Sequence, residues 1–401
     1  MNIILFDSIN RMHLLPLTYT RPVAALKAGI STIAEKWERN FPGAVSMLAP
    51  DYLKAKFAVC IGQNNVLIDG SILPDSPLID AINKLQPNEV LAEDKDNILA
   101  IRLNKEDTEK VAGFDDYCRL SISGLKWIIY EHPVRSITRP WHLFSMCGEL
   151  INDDFRVMTA NRTSAPVSES NRVVNAGNIF IEDGAVCEFS ILNASNGPIY
   201  IGKDAEIMEN CVVRGPFVLG EHSTLKIGAK IYGATVVGDH CKVGGEVNNS
   251  VFLGYSNKAH DGFLGNAVIG EWCNLGADTN NSNLKNTYEE VKLWSHVENR
   301  FVKTGLQFCG LIMGDHSKCG INTMFNTGTV AGVSCNLYGD GFHRNYIPSF
   351  SWGSPAHMTS FQFDKAMVIA SKVMERRSVE LTDIEIDILR CIYDITFEQR
   401  R

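Results

Sequence analysis

Two short stretches of this 401-residue chain carry side chains whose types and spacing could do chemistry. The first, L-L-P-L-T-Y-T-R-P at residues 14–22, follows the apolar run Ile3–Phe6 and offers Thr18, Thr20 and Arg21. Loops after a first β-strand hold phosphates when they present backbone N–H groups and guanidiniums, usually with the help of glycines. Here no glycine stands between Met1 and Ala28. The second stretch, Asn248–Asn266, contains His260 with Asp261 beside it, and the polar run that follows contains Asn283. A neutral imidazole near pH 7 can take a proton from an attacking hydroxyl or amine. A lone histidine can equally be a satisfied structural residue, and exposed arginines commonly pair with surface carboxylates.

The elements that must position these residues are most legible in the middle of the chain. Ile201, Ile207, Val213, Leu219, Leu225, Ile231, Val237 and Val243 are aliphatic at an unbroken spacing of six. Four positions after each stands Ala205, Cys211, Phe217, Ser223, Ala229, Thr235, Cys241 or Val247, mostly small. That period fits neither a helix nor plain strand alternation. It fits short strands joined by tight turns, each aliphatic side chain pointing into a narrow prism and stacking on its equivalent one coil away. The beat is irregular around Ile179–Ala185, returns at Ile269 and Leu275, and recurs at Ile312, Met324 and Val330. Asn248–Asn266 and Thr279–Thr304 interrupt it and are expected to leave the solenoid as loops, where binding chemistry often resides.

Before the solenoid, Ile3–Phe6, Val66–Ile68 and Ile98–Ile101 read as strands, and Gly29–Arg39 and Leu78–Leu85 as helices. That alternation predicts an α/β domain over residues 1–150, with a polar linker over 151–178 and the solenoid over 179–355. Residues 356–401 form a helical segment, Phe363–Arg377 and Thr382–Glu398, with Thr382 as N-cap and Glu385 completing a capping box. The stripe Ile384, Ile388, Leu389, Ile392 and Ile395 is expected to pack on the solenoid or on a neighbouring subunit. Apolar residues are 45%, charged ones 21%, and the net charge is −8 with no long basic cluster, which disfavours nucleic acid and anionic membrane as partners. No apolar run approaches a membrane helix, so a cytoplasmic protein is expected. The eleven cysteines form no C-x-x-C pair and are expected as buried reduced thiols.

The six-residue period is the hexapeptide pattern. An α/β domain followed by it resembles the sugar-phosphate nucleotidyltransferases with a fused left-handed parallel β-helix acyltransferase domain. The similarity is to the bifunctional N-acetylglucosamine-1-phosphate uridylyltransferase/glucosamine-1-phosphate acetyltransferase group. More narrowly, it is to a divergent glucose-1-phosphate thymidylyltransferase-like group with a shortened, Rossmann-like first domain. That family's loop reads roughly G-x-G-T-R-L-x-P-L-T-x-x-R-P-K. Pro16-Leu17-Thr18-Tyr19-Thr20-Arg21-Pro22 matches its second half, and Arg11 stands for its first arginine. The glycines are missing, and Val23 takes the lysine position. Val66-Leu67-Ile68-Asp69-Gly70-Ser71 resembles a strand that ends Gly-Asp, where the family Asp holds Mg²⁺; Ser71 replaces it, with Asp69 two residues before.

The acetyltransferase motif of the family reads close to K-A-G-H-x-x-Y-x-G-D-A-x-I-G. Lys258-Ala259-His260, Phe263, Gly265-Asn266-Ala267 and Ile269-Gly270 follow it, with Phe263 for the tyrosine. Gly276-Ala277-Asp278-Thr279 and Asn283 match G-A-G-T-x-x-x-N, and Asn248 stands where a substrate-phosphate lysine is expected. The resemblance implies His260 as general base, a backbone N–H near Ala277 and the Asn283 amide orienting substrates, and Asn248, Lys258 and Phe263 at the acceptor. It implies Arg11, Thr18 and Arg21 on nucleotide phosphate and Asp69 on Mg²⁺. The implied ligands are a nucleoside triphosphate, a sugar 1-phosphate, and acetyl-CoA or another acyl-CoA. The implied assembly is a homotrimer with sites between subunits. The alternative is a catalytically silent nucleotide-sugar-binding scaffold, which Val23 and Ser71 favour for the first domain.

Overall fold

The computed structural model describes residues 1–112 and 124–400. Two compact units divide after Arg139, and the second also takes in Leu15–Leu17 and Lys27–Ile30. The first unit is built on a six-stranded sheet. Its strands are β1 (Asn2–Phe6), β2 (Val45–Leu48), β3 (Asn64–Asp69), β4 (Glu89–Ala92), β5 (Ile98–Asn104) and β6 (Lys126–Ile129), in the order β2-β1-β3-β5-β4-β6. β1 lies parallel to β2 and to β3, pairing Phe6 with Asp69, so both strands end at the same edge. Ligands of open α/β sheets gather outside the carboxyl ends of such strands. Ile4, Phe6, Leu67, Val90 and Ile101 form the core on one face. The helix Ile33–Asn40 starts at a capping box of Thr32 and Glu35, and its Trp37 is fully buried with Nε1 donating to the Ile72 carbonyl at 2.9 Å.

In the second unit the helix Cys147–Met158 runs across residue 150, and Arg172–Val174 already pairs as the first strand of a solenoid sheet. Three ladders of parallel strands follow, each coil giving one strand to each ladder as far as Phe263–Gly265. Ile199 pairs with Phe217 and Phe217 with Thr235, a register step of 18 that is three times the six-residue beat. Every aliphatic residue of the beat from Ile201 to Val243 is at most 1% exposed, as are the residues four positions on. His222, His240, Tyr255 and Trp272 recur at one corner with left-handed φ of 52–60°, and their rings stack at 4.2–4.9 Å.

One expectation is corrected here. Asn248–Asn266 does not leave the solenoid: Glu246–Asn248, Val251–Gly254, Asn257–Lys258 and Phe263–Gly265 all pair within the ladders. The coils are merely shorter, stepping 15 residues from Val236 to Val251 and 17 from Val251 to Val268. Shorter corners break the beat while leaving the strand pairing intact. The second interruption does leave. Val268 pairs next with Ile312, and the hairpin Lys292–Ser295/Arg300–Lys303 stands between them.

The C-terminal helices are Phe363–Glu375 and Asp383–Ile395, the latter with the Thr382–Glu385 capping box. Ile388, Leu389 and Ile392 are buried, while Ile384 and Ile395 remain exposed. Tyr393 meets the ring of Phe350 from the last coils at 5.0 Å. Cys187, Cys211, Cys241, Cys273, Cys309, Cys319 and Cys335 are buried thiols, and burial pushes Cys241 up to about 12. No helix among the described residues is long and apolar enough to cross a membrane.

Candidate functional site

His260 lies on the turn between Asn257–Lys258 and Phe263–Gly265, and its imidazole is exposed. The turn borders a cleft of ≈ 570 Å³ along one corner of the solenoid, where successive coils contribute Lys226, His260, Asp261, Ala277, Asp278 and Ile321. The apolar side chain of Ile321 is 68% exposed there. Gly262 makes the turn possible: its φ is +111°, and a Cβ would stand 2.3 Å from the Thr279 carbonyl of the next coil.

The turn is held from beneath by Lys258. This side chain is 1% exposed, and its ammonium donates to the carbonyls of Gly244 at 3.3 Å, His260 at 2.8 Å and Asp261 at 3.2 Å. Burial lowers its pKa to about 8. All three donors are thus spent on backbone, and Lys258 faces the interior instead of the acceptor side that its motif position implied. It positions His260.

Asn248, Phe263 and Asn283 lie elsewhere along the same coils and do not line the cleft. Asn283 Nδ2 donates to Asn266 Oδ1 at 2.8 Å, and its carbonyl accepts from Cys309 N at 2.9 Å, which closes the base of the excursion. Phe263 N donates to Asn280 Oδ1 at 2.7 Å, and the Asn248 carbonyl accepts from Asn266 N at 3.0 Å. Gly265 lets the Phe263 ring and the Asn283 amide meet, since a Cβ there would stand 2.6 Å from both. Of the residues singled out by sequence, the cleft therefore joins His260, Asp261 and Ala277. It adds Asp278, which sequence reading passed over although it fills a glycine position of the motif.

In the first unit the loop residues turn inward. Arg11 Nε sits 3.3 Å from Asp7 Oδ2, and Nη2 donates to the Thr18 carbonyl at 2.9 Å and to the Tyr52 hydroxyl. Thr18 is fully buried and returns its hydroxyl to the Arg11 carbonyl at 2.7 Å. Arg21 is 6% exposed, with Nη2 3.4 Å from Thr20 Oγ1. Arg11 and Thr18 thus knit the loop to itself, and the phosphate-facing geometry expected of them is not the one seen.

Asp69 is 7% exposed at the end of β3, accepting from Ser71 N at 2.8 Å. Burial raises its pKa, opposed by the Ser71 N–H and by the side chains of Ser8, Ser71 and Asn10. Asp7, one residue past β1, is its neighbour. Burial pushes Asp7 up to about 7 against the pull of Arg11 and of the Val23 N–H, with the Asp69 charge adding to the rise. Sequence reading missed Asp7. The available signal was a carboxylate placed immediately after the first apolar strand.

Three comparisons bear on this geometry. No curated protein matches the chain. A solved structure of an Arabidopsis UDP-N-acetylglucosamine acyltransferase aligns over 59% of this chain and 94% of its own, at 13% identity and a TM-score of 0.23, an overlap too loose to carry argument. Residues 3–163, which run from the first unit into the start of the second, match the sequence model of the family described as sugar nucleotidyl transferase, and the match ends before the regular beat of the solenoid begins.

Proposed function

We propose that the chain is a transferase of sugar-nucleotide metabolism whose solenoid moves an acyl group from an acyl-CoA to a sugar phosphate or sugar nucleotide. The observation that carries this reading is the exposed imidazole of His260 over the ≈ 570 Å³ cleft, on a turn fixed from within by Lys258. The imidazole takes the proton of the acceptor hydroxyl or amine as that atom attacks the thioester carbonyl carbon. A backbone N–H near Ala277 steadies the oxyanion. The C–S bond then breaks, and the departing thiolate takes up the proton. Asn248, Phe263 and Asn283, which lie outside the cleft, keep the neighbouring strands in place. The assay is thiol release from acetyl-CoA across a panel of sugar phosphates and sugar nucleotides. No release with any acceptor, together with no acyl-CoA binding, would overturn this reading.

The first unit, on this proposal, binds a nucleoside triphosphate and a sugar 1-phosphate, a reading supported by the family match over residues 3–163. Mg²⁺ prefers hard oxygen ligands and keeps several waters. Asp7 and Asp69 suit it, because both are carboxylates at one sheet edge, although Asp7 Oδ2 already faces Arg11 Nε at 3.3 Å. They would hold the ion, which when bound neutralises phosphate charge. A second reading, a nucleotide-binding scaffold without transfer, draws on the inward bonding of Arg11 and Thr18. Pyrophosphate release from a nucleoside triphosphate plus a hexose 1-phosphate separates the two readings. The proposed assembly is a homotrimer, read by light scattering; a monomer at micromolar concentration would remove any site between subunits.

A further inference from the structure

A second cavity, of ≈ 380 Å³, opens at the last coils of the solenoid. Its walls are the turn around His343, the hairpin Ser351–Gly353/Met358–Ser360, and the final turn Phe397–Arg400. At its floor His343 is 2% exposed, and neither ring nitrogen has a hydrogen-bond partner among the described residues. Burying a polar ring unsatisfied costs its hydration with no return, so such a group calls for a ligand. Burial lowers the pKa of His343, which leaves a neutral ring with one N–H to donate.

The rim is cationic. Arg344 and His357 stand exposed on it. Half-buried Arg400 is braced by Thr396 Oγ1 at 2.7 Å and by the carbonyls of Tyr393 at 2.8 Å and Ser349 at 3.4 Å, and its Nε has no hydrogen-bond partner among the described residues. Among the described residues no Asp or Glu lines the cavity. Two guanidiniums in one lining with no carboxylate beside them favour an anion, and planar guanidinium forks suit phosphate oxygens. The volume lies toward the lower end of small-ligand pockets, roughly 300–1,000 Å³.

We infer that this cavity binds a phosphate group, free or as a small phosphomonoester, with His343 as its buried donor and Arg344 and Arg400 as its cations. The inference is independent of the acyl-transfer reading, since it involves none of the residues around His260. The test is titration calorimetry of the full chain with inorganic phosphate and, separately, with glucose 1-phosphate. Saturable binding at one site per chain is expected, weakened about tenfold or more by His343→Gln and by Arg344→Glu, as loss of a charge-assisted hydrogen bond implies. Tighter binding of glucose 1-phosphate assigns the site to a phosphomonoester, and equal binding assigns it to free phosphate. Arg344 is exposed, so its variant carries the test even if His343→Gln fails to fold. No saturable binding at millimolar ligand, or binding unchanged by Arg344→Glu, overturns the inference.

Discussion

The loop at residues 14–22 and the turn at residues 257–262 both match family motifs by residue type and spacing, yet they use their charged groups in opposite ways. Arg11 just before the loop, and Thr18 and Arg21 within it, are buried, and Arg11 and Thr18 bond to one another's backbone. In the turn, Lys258 is buried so that His260 need not be. Buried charges survive only when paired or hydrogen-bonded, so an inward arginine or lysine has already committed its donors to the fold. Exposure is what separates the residue left for chemistry from the residues that hold it in place.

The largest stability effect should come from the turn. Lys258→Ala removes three hydrogen bonds and leaves a cavity, and should cost roughly 4 kcal/mol in the unfolding of the solenoid unit by denaturant titration. A change near zero would mean that Lys258 does not hold the turn. Next comes the loop. Arg11→Ala strips Asp7 of its partner and Thr18 and Tyr52 of a donor, costing about 3 kcal/mol in the first unit. Were Arg11 instead a phosphate ligand, the same change would abolish nucleotide binding and leave stability intact.

A smaller, pH-dependent effect sharpens the same contrast. Asp7 titrates at about 7 in the folded chain against 3.8 for the free side chain, so between those values the folded state holds the extra proton. Its contribution to stability is full below the lower value and is lost as pH rises through 7. The melting temperature of the first unit should therefore fall between about pH 4 and 7 and level off above that, and Asp7→Asn should flatten that slope. An unchanged slope in Asp7→Asn would place the titrating group elsewhere.

How much of this was legible depends on whether a feature is local in the chain. The beat from Ile201 to Val243 was, because each side chain stacks on its equivalent a fixed step away. The Thr382–Glu385 capping box was, because it spans three residues. The coils through Asn248–Asn266 were not, since shortened corners erase the period while parallel pairing continues. Strands β2 and β4, at four residues each, were too short to stand out. Asp7 gained its meaning only when β1 and β3 paired and brought it beside Asp69. The inward course of Lys258 depends on the carbonyl of Gly244, fourteen residues back in sequence and one coil away in space.

The measurement that bears most directly on the central claim takes turnover and melting temperature from one preparation of His260→Ala. Light scattering on the same sample reports whether the proposed trimer survives. With His260 as general base, acyl transfer should fall about 10²–10⁴-fold. The melting temperature and assembly should hardly move, because an exposed imidazole carries little packing energy. Normal turnover per folded molecule in a destabilised protein would contradict the account and make His260 a structural residue.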